Sequence, residues 1–257
     1  MKVVIADTYK TLEPELRRII ATYENTGKLL YDGSRNSLKK FPLQDKEIVV
    51  KAFGSPNLIN RIVYRFFRKS KAERSFFYAK KLASFDIGTP KAIAYMENTS
   101  FLFFKDSYYI SEYLESDLTY RELITYPDYP DKEEILLQFT AFTKKLHDNC
   151  VLFKDHSPGN TLIKKTGQNS YAFYLVDLNR MEFKDLTYRE RILNFTRLTP
   201  EKEMIRTMAY AYADLCDFDP DDVFRLMWEE TEKFQNKFHK KRRIKRRVFF
   251  WKEKYKE

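Results

Sequence analysis

Glycine, cysteine and histidine are scarce in this chain, and each shortage closes off a class of protein. Six glycines and nine prolines among 257 residues argue against a collagen-like or disordered chain. No G-x-G-x-x-G phosphate loop is present. The two cysteines, Cys150 and Cys216, stand in no CxxC spacing, so neither a zinc site nor a disulfide framework is expected. Buried free thiols in a reducing cytoplasm are the simpler reading. Three histidines without H-x3-H spacing argue against transition-metal catalysis; His147 and His156 read as structural residues. Neither cysteine has an obvious base beside it, and Ser157 lacks a nucleophile elbow, so hydrolase chemistry is not expected. No window reaches ~18 consecutive apolar residues, the length of a spanning helix. The apolar run in Met1–Asp7 is too short for a signal peptide.

What is present is aromatic and unevenly charged. Aromatics make up 16% of the residues, which predicts a core rich in Phe and Tyr rings. The net charge is +10, yet residues 237–257 hold eleven Lys and Arg against two Glu and so carry +9 of it. The basicity belongs to the tail, and the body is nearly neutral. A general nucleic-acid surface is therefore disfavoured, and no nucleic-acid partner is expected.

Along the chain, the first half predicts strands, then helix, then strands. Gly27–Tyr31 and Ser37–Phe41 read as strands flanking the turn Asp32–Asn36, and Glu47–Phe53 as a third. From Asn57 to Phe85 there is neither Pro nor Gly. Apolar residues recur there at helical spacing, which predicts two helices with a break near Ser70. Further strands are expected at Lys91–Met96, Phe101–Phe104 and Tyr108–Tyr113. The second half is mainly helical. Glu133–His147 is amphipathic through Ile135, Leu136, Phe139, Phe142 and Leu146. A hairpin, Thr161–Ile163 with Tyr171–Val176, interrupts the helices, which resume near Tyr188. The fold class is thus α+β and bilobal. A strand-rich lobe is expected at 1–113 and a helical lobe at 114–257, with the basic tail at 237–257. The cleft is expected near Glu112-Tyr113-Leu114, where the pattern changes.

The chemistry concentrates in Phe153-Lys154-Asp155-His156-Ser157-Pro158-Gly159-Asn160 and in Asp177-Leu178-Asn179-Arg180. The first places an Asp and an Asn five residues apart in a loop before the hairpin. The second follows the hairpin, whose return path offers a way for Asn160 and Asp177 to meet. Phosphoryl transfer needs an Asp to orient the acceptor hydroxyl and oxygen ligands for Mg²⁺.

These stretches resemble the catalytic loop and metal-binding Asp of the protein-kinase-like superfamily. Phe153 stands where a His is common, and Asp-Leu-Asn where Asp-Phe-Gly is common. The Asp-His-Ser-Pro-Gly-Asn wording is closest to small-molecule kinases of the aminoglycoside-phosphotransferase type. The resemblance implies Asp155, with Lys154 beside it, as catalytic residues, Asn160 and Asp177 as Mg²⁺ ligands, and ATP as the phosphate donor. Lys51, ending Ile48-Val49-Val50, resembles the phosphate-binding lysine of the third strand. Glu73, in a predicted helix, is its expected partner. Gly33, Ser34 and Arg35 lie where a phosphate-covering turn would be; Arg35 is a candidate phosphate contact, and an ordinary hairpin turn is the competing reading. The segment Glu112-Tyr113-Leu114 is expected to read adenine through backbone groups.

A narrower resemblance rests on Ser70-Lys71-Ala72-Glu73-Arg74-Ser75, Gly88-Thr89-Pro90, Ile110-Ser111-Glu112-Tyr113 and the Asp155–Asn160 stretch. Together these are similar to the bacterial lipopolysaccharide kinases, over about Gly27 to Arg197. That family phosphorylates Kdo or heptose of the inner core, so a core sugar or a lipid A-linked acceptor is implied. No Ala-Pro-Glu follows Asp177. Arg189, Arg191 and Arg197 follow instead, and either contact anionic sugars or form a solvated helix face. Another kinase of the same fold acting on protein or small molecules, and an inactive kinase-like binding protein, remain as alternatives. Lys240–Arg247 followed by Val248-Phe249-Phe250-Trp251 suits an anionic bilayer surface. Packing of those rings on the helical lobe is the other reading. The expected location is cytoplasmic, at the inner-membrane face.

Overall fold

Lys2–Ile5 opens the structure as β1, an edge strand where sequence patterning gives no element. It pairs antiparallel with β5, Val4 opposite Tyr95. The computed structural model describes residues 1–33, 36–55, 64, 68–100 and 103–253, and of 245 and 247–253 the backbone alone. The chain forms two compact units. One is Met1–Ser116 with Tyr174–Met181; the other is Asp117–Phe173 with Glu182–Glu257.

The first unit is built on a six-stranded sheet in the order β1-β5-β6-β4-β3-β2. Its remaining strands are β2 (Lys28–Asp32), β3 (Asn36–Leu43), β4 (Lys46–Phe53), β5 (Ala92–Thr99) and β6 (Phe104–Glu112). Every neighbouring pair is antiparallel. In β4 the period-2 alternation buries Ile48 and Val50 and turns Lys51 to the opposite face. Helix α1 (Glu13–Ala21) starts with a proline in its first turn and buries Leu16, Ile19 and Ile20, an i, i+3, i+4 stripe. That stripe joins Ile48, Val50, Ile93, Met96 and Ile110 in one core. Gly27 has φ +85°, and a Cβ there would lie 2.4 Å from the Phe41 ring, so the turn into β2 requires glycine.

The expected break near Ser70 is a helix start. The Ser70 side chain accepts the Glu73 N–H at 3.0 Å and caps α2, Lys71–Ser84, a contact contributing about 1 kcal/mol. The helix expected before it falls mostly outside the described residues. The two strands expected between Phe101 and Tyr113 are a single strand from Phe104 to Glu112, Phe101 itself lying outside the described residues. Lys105-Asp106 reads as a break, but Asp106 faces Asn98 across β5 and accepts its amide at 2.7 Å. A cross-strand polar pair therefore carries the strand through.

The second unit is mainly helical. Thr119 and Glu122 close a capping box on α3 (Tyr120–Thr125). Helix α4 (Lys132–Asp148) buries Ile135, Leu136, Phe139 and Leu146. Against it lie Met204, Ile205, Met208 and Tyr212 of α6 (Lys202–Cys216), and Val223 and Met227 of α7 (Pro220–Glu253). Phe139 sits at the centre, its ring 4.7 Å from Tyr120 and 5.6 Å from Phe173. Each buried ring contributes about 1.5–3 kcal/mol. Strand β7 (Leu118–Thr119) pairs with β9 (Thr161–Gly167), which forms the hairpin with β10, Ser170–Leu175. The short helix α5 (Tyr188–Leu193) has a second capping box, Thr187 with Glu190. Cys150 and Cys216 are free but half-buried rather than buried; the Cys150 thiol donates to Asp185. Among the described residues no helix is long and apolar enough to cross a membrane.

Candidate functional site

In the first unit, the Lys51 ammonium lies 2.7 Å from the Asp177 carboxylate. Asp177 adopts φ 58°, the left-handed region that costs a non-glycine residue about 1–3 kcal/mol. Four contacts hold it there. Lys51 and the Asn179 amide both meet Asp177 Oδ1. Two residues upstream, the Leu175 N–H donates to Gly88 O at 2.9 Å and Thr89 Oγ1 donates to Leu175 O at 2.9 Å. The Gly88-Thr89-Pro90 stretch, part of the family resemblance, thus also anchors the segment that carries Asp177. Sequence reasoning missed that role, because it is a contact between residues 86 positions apart.

The expected Lys51–Glu73 pair does not form. Glu73 points to Lys2 of β1 at 3.4 Å, and Lys2 also reaches Glu97 at 3.6 Å. Glu73 lies in the first turn of α2, and the added edge strand supplies its cation. Gly33 lies in the β2–β3 turn, its N–H bonded to Asn36 O at 3.0 Å; Ser34 and Arg35 lie outside the described residues. In the segment expected to read adenine, the Glu112 N–H is bonded to Lys91 O at 2.9 Å and the Tyr113 N–H to Glu47 O at 2.8 Å. Those two donors are spent within the unit. Among the described residues the Leu114 N–H has no backbone partner. The Glu112 carboxylate accepts from Tyr9 and from Lys46, the latter at 2.7 Å. Burial pushes that carboxyl up, but the Lys46 and Tyr9 bonds outweigh it and hold it below its usual range. A cavity of about 360 Å³ beside it is lined by Lys40, Lys46, Glu47, Glu112, Tyr113 and Glu115. Such charged walls do not suit an adenine face.

In the second unit, Asp155 sits after β8 (Val151–Phe153) and before the 3-10 turn Pro158–Asn160. Asn160 Nδ2 donates to the Asp155 carbonyl at 2.8 Å. That contact fixes the amide and leaves its carbonyl oxygen without a protein partner among the described residues. Lys154 turns to Glu182. The Arg197 guanidinium donates to Lys154 O at 2.7 Å and to Asp155 Oδ1 at 3.0 Å. Asn194 Nδ2 donates to Phe153 O at 2.9 Å, and its Oδ1 lies 3.1 Å from His147 Nε2. Oδ1 can only accept, so His147 carries its proton on Nε2, and Nδ1 accepts from the Tyr212 hydroxyl at 2.8 Å. Burial holds the His147 imidazole neutral, its pKa pushed down to about 4. His156 is buried among Phe139, Phe153 and Phe195, and burial pushes it down to about 3.

The three arginines read either as contacts for anionic sugars or as a solvated helix face are all paired in this unit. Arg189 meets Glu230 at 2.6 Å, Arg191 meets Asp148 at 2.9 Å, and Arg197 meets Asp155. Their carboxylate partners are distant in sequence, which is why the spacing suggested free cations.

Asp177 and Asn160 each present an oxygen of the kind a hard divalent cation takes. On Asp177, Oδ1 receives Lys51 and Asn179, while Oδ2 has no partner among the described residues. The donor chemistry therefore fits Mg²⁺.

The fold is protein-kinase-like. A solved structure described as WaaP in complex with acyl carrier protein superimposes with a TM-score of 0.62 at 16% identity, over 91% of this chain and 99% of that one. In all, 1394 solved chains match, so the fold alone does not choose a substrate. No curated protein matches the chain. The lipopolysaccharide kinase (Kdo/WaaP) family model matches residues 54–227, more than half the chain, and the chain belongs to that family. Membership makes it a phosphotransferase of lipopolysaccharide biosynthesis.

Proposed function

We propose that this protein transfers the γ-phosphoryl group of ATP to a hydroxyl of Kdo or heptose in the lipopolysaccharide inner core. The observation that carries the reading is the 2.7 Å contact of Lys51 with Asp177. It joins a strand lysine suited to phosphate with a carboxylate suited to a metal ion, in a chain of the Kdo/WaaP family. Asp155 orients the acceptor hydroxyl and takes its proton late in transfer, and Lys154 stands beside it as the second catalytic candidate. Lys51 exchanges Asp177 for nucleotide phosphate. Mg²⁺, held by Asn160 and Asp177, would neutralise charge on the phosphates. Gly33, Ser34 and Arg35 are further candidate phosphate contacts, and adenine is read by the Leu114 backbone.

Of these groups, Lys51, Leu114 and Asp177 belong to the first unit and Asp155 and Asn160 to the second, and the basic end 237–257 rests on the anionic cytoplasmic face of the inner membrane. Acyl carrier protein, present in the solved WaaP structure, is a further partner to test.

The test is transfer from Mg-ATP to purified, deacylated core oligosaccharide, read by mass spectrometry as one added phosphate. Phosphate appearing on protein substrates and never on the sugar would overturn the acceptor assignment.

A further inference from the structure

Three consecutive residues at the start of the Asp155 loop are gripped from one later segment. Asn194 donates to Phe153 O at 2.9 Å; Arg197 donates to Lys154 O at 2.7 Å and to Asp155 Oδ1 at 3.0 Å. We propose that Asn194-x-x-Arg197 is a clamp that fixes the backbone and carboxylate of Asp155, making Arg197 a positioning residue for the transfer step. The inference rests on Asp155 being the residue that meets the acceptor hydroxyl.

The clamp is itself rigidly seated. Phe195 and Leu198, between and beside its two members, are fully buried. Asn194 is oriented by neutral His147, which is oriented by Tyr212. The Arg197 guanidinium lies over the Phe234 ring of α7 at 5.7 Å. Both ends of the contact therefore come from packed elements, the condition for holding a reacting group in place.

Arg197 differs from its neighbours Arg189 and Arg191 in two ways. Their partners, Glu230 and Asp148, have no part in the proposed chemistry, whereas Arg197 holds the one carboxylate that does. Its Nε is also buried without a partner. Leaving such a donor unsatisfied costs about 1–3 kcal/mol, a cost a merely stabilising surface pair has no reason to carry. Occupying Oδ1 from the side of the loop removes one rotational freedom of the carboxylate. A misplacement near 1 Å at such a group costs about 100-fold in rate.

The experiment measures kcat and KM of the full chain on Mg-ATP and deacylated core oligosaccharide, for Arg197→Ala, Arg197→Lys and Asp155→Asn. Arg197→Ala should lower kcat about 100-fold and leave KM for ATP within about 2-fold. Arg197→Lys should fall between, since an ammonium reaches one acceptor but lacks the fork. Added guanidinium should restore Arg197→Ala by about 10-fold or more and leave both wild type and Asp155→Asn unchanged. Near-wild-type turnover of Arg197→Ala beside an inactive Asp155→Asn overturns the clamp. So does equal loss in both Arg197 variants without rescue, which would mark a folding role. If Asp155→Asn itself remains active, the catalytic assignment fails first, and the clamp has nothing to position.

Discussion

Asp155 and Asp177 are aspartates of similar setting, each just beyond a strand, yet the two units hold them by different means. Asp177 sits in a left-handed backbone turn, Asn179 two residues on reaches back, and the Lys51 ammonium meets the same carboxylate oxygen. Asp155 is held by side chains more than forty positions later, seated in an aromatic core. The difference matches the roles proposed for the two carboxylates. A metal ligand has to exchange partners when nucleotide arrives, so a single ion pair and a strained turn suffice. A group that aims an acceptor hydroxyl must not move at all.

The largest effects should separate the two aspartates directly. Asp155→Asn is expected to cut transfer by about 1000-fold or more while Mg-ATP binding survives. Asp177→Ala should lose transfer and metal-dependent nucleotide binding together. Isothermal titration with Mg-ATP beside a transfer assay reads both. Equal nucleotide affinity in the two variants would dissolve the distinction.

Next in size is the lysine that serves the first unit. Lys51→Ala should raise KM for ATP and lower turnover, by about 10–100-fold in kcat/KM. Glu73→Gln should do far less, because its partner here is Lys2, itself half exposed, and such pairs contribute about 0–1 kcal/mol. A double-mutant cycle sharpens the point. Nucleotide-free stability should show coupling between Lys51 and Asp177 and none between Lys51 and Glu73. The reverse pattern would restore the pairing expected from sequence.

Those two carboxylates also mark where sequence reading ends. Strand β4 with Lys51, the helix beyond the break near Ser70, helix α4 and the hairpin after Asn160 were legible, because periodicity and turn chemistry are local. The β1 strand and α1 were not: four residues and nine residues give too little pattern, and their burial exists only through the sheet. Glu73's true partner was hidden for the same reason, since Lys2 is brought to it by β1. Asn194 and Arg197 left only a faint signal, an Asn and an Arg three apart beyond a short helix. Nothing local says that their targets are the Phe153 and Lys154 carbonyls and the Asp155 carboxylate.

A smaller effect follows from the histidines beneath that clamp. His147 and His156 are neutral in the folded protein, with burial pushing them to about 4 and about 3, against 6.5 in an unfolded chain. Below pH 6.5 the unfolded chain takes up protons that the folded one refuses. Stability is therefore fully present above that pH and declines as pH falls through 6.5 toward 4 and 3. The Tm should drop progressively from pH 7 to 4.5. His156→Leu should flatten that dependence whatever its own Tm. An unchanged slope would mean that the buried imidazoles do not govern it. Both imidazoles lie in the second unit, so this histidine contribution belongs to it.

The smallest effect on chemistry is expected where the charge is greatest. Helix α7 begins in the core, with Val223, Met227 and Thr231 buried, and runs on to Glu253. Beyond Asn236 its described side chains are exposed, including Phe238, Ile244 and the cluster His239, Arg242, Arg243 and Arg246; those of Phe249, Phe250 and Trp251 lie outside the described residues. Basic positions 237, 240, 241, 242 and 243 fall on several sides of the helix rather than on one face. Attraction to an anionic surface therefore does not depend on one rotation of the helix. Each such residue contributes about 1 kcal/mol near anionic lipid, and salt screens the sum over about 8–10 Å. Truncation after Asn236 should remove salt-sensitive binding to vesicles of mixed phosphatidylglycerol and phosphatidylethanolamine. Activity should fall on a lipid-linked acceptor and stay within about 2-fold of wild type on the lipid-free oligosaccharide. Equal loss on both acceptors would instead make this helix end part of the fold, and would tie it through Phe234 and Arg197 to the carboxylate it was thought to leave alone.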